Sequence, residues 1–388
     1  MKKSLNIDSK LSVNMPHVEP ETGMLKALVV AYSTRLLIFL IAIVSNDVVG
    51  TRSGPPGVFW NVDIAFFRLF ARWDSAYYMD IAKYWYSLGP EHWAFFPLYP
   101  ILLKITSMPL RSILGIDPAL AVAGFLINHV LFGISVILLH KLTYALYQDE
   151  RLAFLTCLFY SIYPGSFFYS AIYSEALFMA LMLGSLYCLE GDRWLISAFL
   201  ASLASLTRSI GVLLFIPILE RALRSKGRSR LFGLCMSSLP IISSFLWFFY
   251  AGTVTGDWGL YLHVQSKYWG VRFQEPISAL MKLRSSFSIL LFTFMLLSIL
   301  SILMPFIERN LQPKLIPYYL LSMAMLGIYL FHSFIESFIR YSVTLLPIYW
   351  FCSRVAVRDE VYAFILSAFF ASVLAFGTVS FVNWYKFI

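Results

Sequence analysis

Long apolar runs without acidic residues are the feature that most restricts what this chain can fold into. Residues 24–45 and 361–382 are each about the length that a helix needs to cross a bilayer, and neither contains Asp or Glu. Hydrophobic residues make up 59% of the chain and charged residues only 13%, a composition far more apolar than that of soluble domains. Because lipid offers no hydrogen-bond partner to a backbone amide, such runs must be helical. The sequence therefore predicts an all-α polytopic membrane protein.

About eleven membrane spans are predicted along the 388 residues. They are 24–45, 119–141, 151–168, 175–190, 194–207, 210–220, 231–250, 286–307, 315–333, 340–353 and 361–382. The densest group of Lys and Arg lies in residues 220–230 and places that connection in the cytoplasm, so the N-terminus is inside and the C-terminus outside. We interpret residues 194–219 as two short helices that meet near Arg208, with one longer span as the alternative. Residues 1–388 are expected to form a single integral-membrane domain.

Cysteine and charge patterns exclude several other classes of protein. The four cysteines lie in apolar runs, so neither a disulfide framework nor a metal-binding CxxC pair is supported. The net charge of +9 comes from Lys and Arg in short connections, which membrane topology explains better than binding to nucleic acid. The first apolar run lacks a small-residue cleavage site and is expected to be a retained span, not a signal peptide.

Two of the predicted external connections are long, residues 46–118 with six acidic residues and residues 251–285 with two. Loops of this length without structure are uncommon unless they are functional. In the first loop, aromatic residues recur at helical spacing on both sides of Trp73-Asp74-Ser75. We therefore expect amphipathic helices that lie flat at the outer membrane interface.

Asp74 is the leading candidate for a catalytic residue. A carboxylate held just above the membrane by aromatic helices is suited to act as a general base on a substrate that arrives from the bilayer. The alternative is that Asp74 only caps the helix beginning at Ser75, since Asp is a favoured N-cap residue. The local sequence leaves both interpretations open.

Three further acidic or basic side chains are candidates for substrate binding at the same face. Glu91 and His92 precede the bent, proline-containing segment 94–100, where they can bind a hydroxylated substrate or assist proton transfer; the alternative is an ordinary solvated loop. Glu175 begins a span at the outer face, where it either complements the helix dipole or contacts substrate at the edge of a cavity.

Three isolated arginines are candidates for binding a phosphate. Arg208 and Arg340 lie at the predicted outer ends of spans, and Arg35 lies inside the first span. The guanidinium fork matches phosphate geometry, so one or more of them can hold the anionic head of a lipid phosphate. The alternative is that their side chains extend to the lipid headgroups.

Several familiar motifs are absent from the sequence. It contains no P-loop, no GxGxxG after a strand, no HExxH and no GxSxG. No Asp or Glu falls in the middle of a predicted span, unlike in most ion-coupled carriers. Asp63 and Asp74 are too isolated to form a visible ligand cluster, so we do not expect a required metal. Acidic residues gathered at one face indicate an enzyme that acts at the membrane surface.

Five motifs, taken in order, resemble those of the PIG-V type mannosyltransferases, which comprise GPI mannosyltransferase II and its prokaryotic relatives. They are Trp73-Asp74 with Ala94-Phe95-Phe96-Pro97, Tyr163-Pro164 to Phe168, Tyr173-Ser174-Glu175-Ala176-Leu177-Phe178, Thr207-Arg208-Ser209-Ile210-Gly211, and Phe338-Ile339-Arg340-Tyr341-Ser342 with Pro347-Ile348-Tyr349-Trp350. The motifs match well over residues 24–220, whereas residues 225–335 match only in hydropathy.

The resemblance implies a GT-C glycosyltransferase fold whose first external loop carries an essential acidic residue, here Asp74. It also implies a polyprenyl (dolichyl) phosphate mannose donor, a lipid-linked or surface glycan acceptor and, in eukaryotes, a part in GPI-anchor biosynthesis. We expect an inverting displacement with Asp74 as base, no cofactor, and Arg208 or Arg340 stabilising the departing phosphate. The expected substrate-binding residues are Trp73, Glu91, His92, Glu175, Arg208 and Arg340.

The expected location is the cell membrane of a prokaryote or the endoplasmic reticulum membrane of a eukaryote, with the active site on the external or lumenal face. Two alternatives remain open at this stage. A non-enzymatic polyprenol-sugar or lipid flippase would show symmetric halves or a polar path through the bilayer, and neither is visible. A structural subunit of a glycan-assembly complex is the other, if Asp74 is only a cap. An accessory membrane subunit is compatible with every interpretation.

Overall fold

The computed structural model describes residues 20–52, 62–275, 287–309, 311–331 and 335–385, and the regular elements in these ranges are helical. The α-helices are α1 (Pro20–Val48), α2 (Ala65–Phe70), α3 (Ser75–Tyr84), α4 (Leu98–Ser107), α5 (Arg111–Leu114), α6 (Ile116–Tyr147), α7 (Glu150–Ile162), α8 (Glu175–Glu190), α9 (Trp194–Ser205), α10 (Phe215–Arg224), α11 (Gly227–Thr255), α12 (Leu260–Trp269), α13 (Phe287–Ile307), α14 (Ile316–Phe331), α15 (Phe338–Tyr341), α16 (Leu346–Arg358) and α17 (Glu360–Val382). Short 3-10 helices join several of them, including Pro90–Ala94, Pro164–Tyr169 and Ser209–Leu214. The all-α prediction is confirmed for these ranges.

Six helical segments among the described residues are long and apolar enough to cross a membrane. They are Thr22–Val48, Ile116–Tyr147, Gly227–Thr255, Ile289–Ile307, Pro313–Phe331 and Glu360–Val382. Each overlaps a predicted span. The five remaining predicted spans overlap α7 to α10 and α16, whose lengths are only 10 to 16 residues. The chain is therefore a multi-pass membrane protein by its helix pattern, and the count of eleven spans stays a prediction.

Two predicted spans were wrong as continuous helices. The span 340–353 is interrupted, because α15 ends at Tyr341 and α16 begins only at Leu346, with Leu345 in an extended conformation (φ −85°, ψ 91°) between them. The span 151–168 ends early, because α7 stops at Ile162 just before Pro164. Proline disfavours helical geometry in the residue before it and lacks the N–H that a helix interior needs, so hydropathy alone did not reveal these breaks.

The break predicted near Arg208 is present. Helix α9 ends at Ser205, the residue Arg208 is extended (φ −153°, ψ 145°), and a 3-10 turn leads into α10. Gly211 allows this turn, because a Cβ at that position would lie 2.4 Å from the backbone oxygen of Ala204. Residues 194–219 thus form two helices, and Arg208 projects from the junction between them.

The first long loop contains the four helices α2 to α5. Phe66 and Phe70 of α2 each pack their ring 5.3 Å from the ring of Phe125 in α6. Helix α3 has six of its ten residues buried, so it is packed into the protein. Its orientation at the outer membrane interface stays a prediction. This packing fixes the position of Asp74, which immediately precedes α3.

The second long loop also contains regular structure. Helix α11 continues to Thr255, and α12 (Leu260–Trp269) packs beside the 3-10 segment Pro90–Ala94 of the first loop. Residues 276–285 of this predicted loop lie outside the described residues. The two loops therefore meet over one end of the helix bundle.

Arg35 is a structural residue in the protein interior. Its Nη1 and Nη2 donate to the carbonyl oxygens of Ser166 and Ser161, both at 2.6 Å, and its guanidinium lies 4.6 Å from the ring centre of Phe132. Ser161 lies in the last turn of α7 and Ser166 in the 3-10 segment that follows it, so Arg35 ties these two elements together. Arg35 is only 1% exposed, so its guanidinium is not accessible to a lipid phosphate. The hypothesis that it binds one is not supported.

Candidate active site

A cavity of about 480 Å³ opens where the two long loops meet the helix bundle. Four of the residues singled out from the sequence line it: Trp73, Asp74, Arg208 and Arg340. Its other walls are largely aromatic. The volume falls within the usual range for binding sites of small molecules.

Asp74 occupies the N-cap position of α3 but does not act as a cap. Its backbone is helical (φ −62°, ψ −11°), and its side chain makes no capping hydrogen bond. The carboxylate instead accepts a hydrogen bond from Nη1 of Arg340, with 2.7 Å between Nη1 and Oδ2. The side chain is 24% exposed and faces the cavity. The capping alternative is therefore wrong for the carboxylate.

Glu175 lies beneath the cavity as the first residue of α8. Its Oε1 accepts hydrogen bonds from Nε of Arg340 and from Nη1 of Arg208, each at 2.5 Å. The carboxylate is 2% exposed. A buried carboxylate is strongly stabilised by two such cations, and it holds both guanidinium groups in place. Glu175 therefore pairs with both arginines but does not itself line the cavity.

The four charged residues form one connected series, Asp74, Arg340, Glu175 and Arg208, which we name the ion-pair chain. Two negative and two positive side chains alternate along it, so the series is neutral as a whole. Arg208 contacts Glu175 through Nη1, which leaves its Nε and Nη2 outside that pair. The ion-pair chain thus presents one carboxylate and two guanidinium groups to the cavity.

Aromatic side chains hold the ion-pair chain in position. The Arg340 guanidinium lies 4.5 Å from the ring centre of Tyr173 and 5.1 Å from that of Phe168. The hydroxyl of Tyr173 accepts a hydrogen bond from the backbone N–H of Asp74 at 3.0 Å. A cation stacked on aromatic faces and tied to two carboxylates has little freedom to reorient.

The backbone conformation of Trp73 determines how the polypeptide enters Asp74. Its φ of 53° is unusual for a bulky residue, and such strain is often found at functional sites. The indole Nε1 donates to the backbone oxygen of Phe381 at 3.3 Å, and the ring packs 5.2 Å from Trp384. Contacts with the C-terminal end of the chain therefore support this conformation.

Glu91 and His92 lie apart from the ion-pair chain. His92 is buried behind Tyr77, with ring centres 5.3 Å apart. Its Nε2 is 3.7 Å from Oδ2 of Asp80, and its Nδ1 is 3.8 Å from Oε1 of Glu91. Neither Glu91 nor His92 lines the cavity. The structure thus brings together Asp74, Glu175, Arg208 and Arg340 and places this pair elsewhere.

No group of three His, Cys, Asp or Glu side chains among the described residues is arranged to hold a metal ion. All four cysteines are free thiols. The charged side chains that line the cavity, Asp74, Arg208 and Arg340, all belong to the ion-pair chain.

Comparison with known sequences decides the family. Residues 34–383 match the sequence profile of the mannosyltransferase (PIG-V) family, which is most of the chain. The chain belongs to the PIG-V mannosyltransferase family. Asp74, Glu175, Arg208 and Arg340 each lie in one of the five motifs on which the resemblance to this family rests.

Relatives of this PIG-V protein carry names of GPI-anchor enzymes. GPI alpha-1,6-mannosyltransferase 2 of Rattus norvegicus is 32% identical over 145 residues, which are 37% of this chain and 29% of the rat protein. GPI mannosyltransferase 2 of Yarrowia lipolytica is 22% identical over 300 residues, 73% of this chain and 78% of that protein. The match thus spans about three tenths of the rat relative and more than three quarters of the yeast one.

Solved structures on which this chain can be superposed include the oligosaccharyltransferase of Archaeoglobus fulgidus in complex with zinc and sulfate. The superposition covers 91% of this chain and 53% of that one, with a TM-score of 0.46 and 13% sequence identity. The archaeal oligosaccharyltransferase AglB from Archaeoglobus fulgidus in complex with an inhibitory peptide and a dolichol-phosphate gives a TM-score of 0.45 at 12% identity, over 92% of this chain and 56% of that one.

Several cavity residues of this PIG-V protein were missed in the sequence. Tyr78 is buried beside Glu175, its hydroxyl is 2.8 Å from that of Ser174, and burial raises the pKa of its phenol to about 12, so it remains protonated. Tyr261, Gln265 and Trp269 of α12 also line the cavity. Their spacing of four residues within the second long loop was the signal that could have identified them.

Proposed function

We propose that this chain is an inverting glycosyltransferase that moves a mannosyl residue from a polyprenyl phosphate donor to a hydroxyl of a lipid-linked or surface glycan. Membership of the PIG-V family supports mannose as the sugar. The names of the GPI mannosyltransferase relatives support a lipid-linked acceptor. The observation that carries the proposal is the ion-pair chain, which combines a carboxylate and two guanidinium groups in one cavity.

Arg208 and Arg340 are proposed to bind the donor phosphate. A sugar phosphodiester carries one negative charge, and the phosphate that leaves carries a second one. Guanidinium groups already fixed by Glu175 stabilise this additional charge more in the transition state than in the bound donor. Such differential stabilisation is what accelerates the reaction.

Asp74 is proposed to act as the general base. The acceptor oxygen forms a bond to the anomeric carbon of the mannosyl group while the bond from that carbon to the phosphate oxygen breaks. The electron pair of the broken bond stays on the phosphate, and the hydroxyl proton moves to a carboxylate oxygen of Asp74. A single displacement inverts the anomeric carbon, so a β-linked donor gives an α-mannoside.

Arg340 connects the two halves of this mechanism. It donates to Asp74 at 2.7 Å and also lines the cavity in which the phosphate would bind. An arriving phosphate competes with Asp74 for the Nη groups of Arg340. Donor binding thereby releases the carboxylate for the acceptor hydroxyl, and the base becomes available only when a sugar is present to be transferred.

The reaction is proposed to require no metal or cofactor, because the arginines supply the positive charge at the phosphate. The donor reaches the cavity from the bilayer, so no nucleotide-binding loop is needed. The proposed location is the external or lumenal face of the membrane, where the two long loops are predicted to lie.

A transfer assay tests the proposal. Purified protein in lipid nanodiscs would be incubated with radiolabelled polyprenyl phosphate mannose and a panel of glycolipid acceptors, and products would be separated by chromatography. We expect a labelled α-mannoside from wild type and none above background from Asp74→Asn. Transfer by Asp74→Asn at the wild-type rate would refute the assigned role of the carboxylate. Movement of the intact donor between leaflets without product would refute the enzymatic function.

A further inference from the structure

Helix α12 presents one stripe of side chains to the cavity. Tyr261, Gln265 and Trp269 follow each other at intervals of four residues, a spacing that places them on one face of a helix, and all three line the cavity. We name these three residues the α12 wall. Their neighbours Lys267 and Tyr268 are exposed and lie outside the cavity lining.

Trp269 is held beside the helix that follows Asp74. Its ring centre lies 5.6 Å from that of Tyr77 and 5.6 Å from that of Phe95, and these two rings stack on each other at 4.8 Å. Tyr77 is in the first turn of α3, three residues after Asp74. The indole therefore has a fixed position relative to the proposed base while remaining partly exposed.

Tyr261 connects the other end of the α12 wall to the arginine side of the cavity. Its hydroxyl donates to the hydroxyl of Ser209 at 3.1 Å, and Ser209 follows Arg208 directly in the chain. Gln265 lies between Tyr261 and Trp269 on the same face. The wall thus extends from the neighbourhood of the phosphate-binding arginines to that of Asp74.

The chemistry of the α12 wall differs from that of the ion-pair chain. It contains two aromatic rings and an amide, and none of its three side chains is charged. A phosphate is better satisfied by Arg208 and Arg340. A neutral sugar ring has an apolar C–H face that packs on aromatic rings and hydroxyl groups that an amide both donates to and accepts from.

We propose that the α12 wall is the acceptor subsite, in which an uncharged hexose ring stacks on Trp269 and hydrogen-bonds to Gln265. This inference rests on the proposed function, since it assigns the second substrate of the same cavity. The wall holds the hexose so that one of its hydroxyl groups reaches Asp74. It selects a neutral saccharide as acceptor, while the ion-pair chain binds the charged donor.

Binding and turnover are measured separately to test this subsite. Full-length protein in nanodiscs is titrated with soluble α-linked mannotriose, and binding is followed by saturation-transfer NMR. The same preparations are assayed for transfer with the concentrations of donor and acceptor varied in turn. The variants are Trp269→Ala, Trp269→Phe and Gln265→Ala. The matched aromatic control is Tyr268→Ala, whose ring lies 6.1 Å from that of Trp269 but outside the cavity lining.

We expect Trp269→Ala and Gln265→Ala to weaken mannotriose binding and raise the acceptor KM about tenfold, with the donor KM unchanged. Trp269→Phe keeps a ring against Tyr77 and Phe95 and should retain most of the binding, whereas Tyr268→Ala should resemble wild type. An increase in the donor KM alone would assign the wall to the donor and overturn the proposal. So would wild-type mannotriose binding by both Trp269→Ala and Gln265→Ala.

The two proposals fail in different ways. If wild type binds mannotriose through Trp269 but forms no mannoside from any acceptor, the proposed transfer is wrong and the saccharide site stands. If wild type forms product while Trp269→Ala and Gln265→Ala keep the wild-type acceptor KM, the transfer stands and the subsite is wrong.

Discussion

Asp74 and Arg340 are 266 positions apart in the sequence, and Nη1 of Arg340 donates a hydrogen bond to Oδ2 of Asp74 at 2.7 Å. The same guanidinium donates from Nε to Glu175 at 2.5 Å. One side chain therefore joins the proposed base, the buried carboxylate and the part of the cavity proposed to bind the phosphate. Two of its nitrogens are committed to fixed partners, so its geometry matters as much as its charge.

Arg340→Lys is expected to lower the rate of transfer about 100-fold, because an ammonium keeps the charge but cannot bridge Asp74 and Glu175 with a planar fork. Arg208→Lys should have a smaller effect, expressed mainly as a higher donor KM, since Arg208 contacts only one carboxylate. Initial rates at varied donor concentration distinguish the two. Equal activity of Arg340→Lys and wild type would show that the bidentate geometry is unimportant.

Asp74→Asn should reduce transfer by about 10²- to 10⁴-fold, the usual contribution of a general base. Asp74→Glu retains a carboxylate in a shifted position and should keep part of the activity. Asp80→Asn is the matched control, because Asp80 lies on the helix that follows Asp74 but pairs with Lys83 at 3.3 Å, outside the cavity lining. The assignment is wrong if Asp80→Asn and Asp74→Asn lose activity to the same extent.

Glu175→Gln is expected to destabilise the protein by about 3–5 kcal/mol, the typical effect of removing one partner from a buried ion pair. The carboxylate is 2% exposed and is shared by two guanidinium groups, which would then lie close together without their common counterion. Thermal unfolding in detergent should show the loss. Asp74→Asn, at a site that is 24% exposed, should lower the unfolding temperature much less.

Treatment with EDTA should leave the rate of transfer unchanged, because the positive charge at the phosphate is proposed to come from Arg208 and Arg340. The assay is repeated after dialysis against EDTA and after re-addition of Mg²⁺, Mn²⁺ or Zn²⁺. Loss of activity that one of these ions restores would contradict metal independence and would require ligands that the ion-pair chain does not supply.

The parts of the site that could be predicted are those encoded by local sequence. Asp74, Glu175 and Arg208 each interrupt an apolar pattern at the predicted outer face, where an isolated charge is conspicuous. Their mutual contacts could not be predicted, because Glu175 meets Arg208 and Arg340 only after the helices pack. The order of the motifs along the sequence indicated that these residues belong to one site. The distances between their side chains depend on how the helices pack.

Other features were missed for identifiable physical reasons. The break at Leu345 lies within an apolar run, and hydropathy does not register that Pro347 lacks the N–H that a continuing helix would need. Helix α12 was placed in a loop because polar residues are interspersed with its aromatic stripe. Glu91 and His92 are adjacent to a family motif in sequence, but the 3-10 segment Pro90–Ala94 directs His92 toward Asp80, away from the cavity.

Gly211→Ala tests whether the turn between α9 and α10 positions Arg208. An added Cβ would lie 2.4 Å from the backbone oxygen of Ala204, and backbone cannot move aside as a flexible side chain can. We expect a loss of about 1–3 kcal/mol in stability, typical of overpacking, together with a higher donor KM because Arg208 projects from the same turn. Gly327→Ala in α14 is the control: nothing lies within 4 Å of its added Cβ, and alanine favours helix by about 1 kcal/mol. If Gly211→Ala were as stable and as active as Gly327→Ala, the close approach at Ala204 would not be what places Arg208 in the cavity.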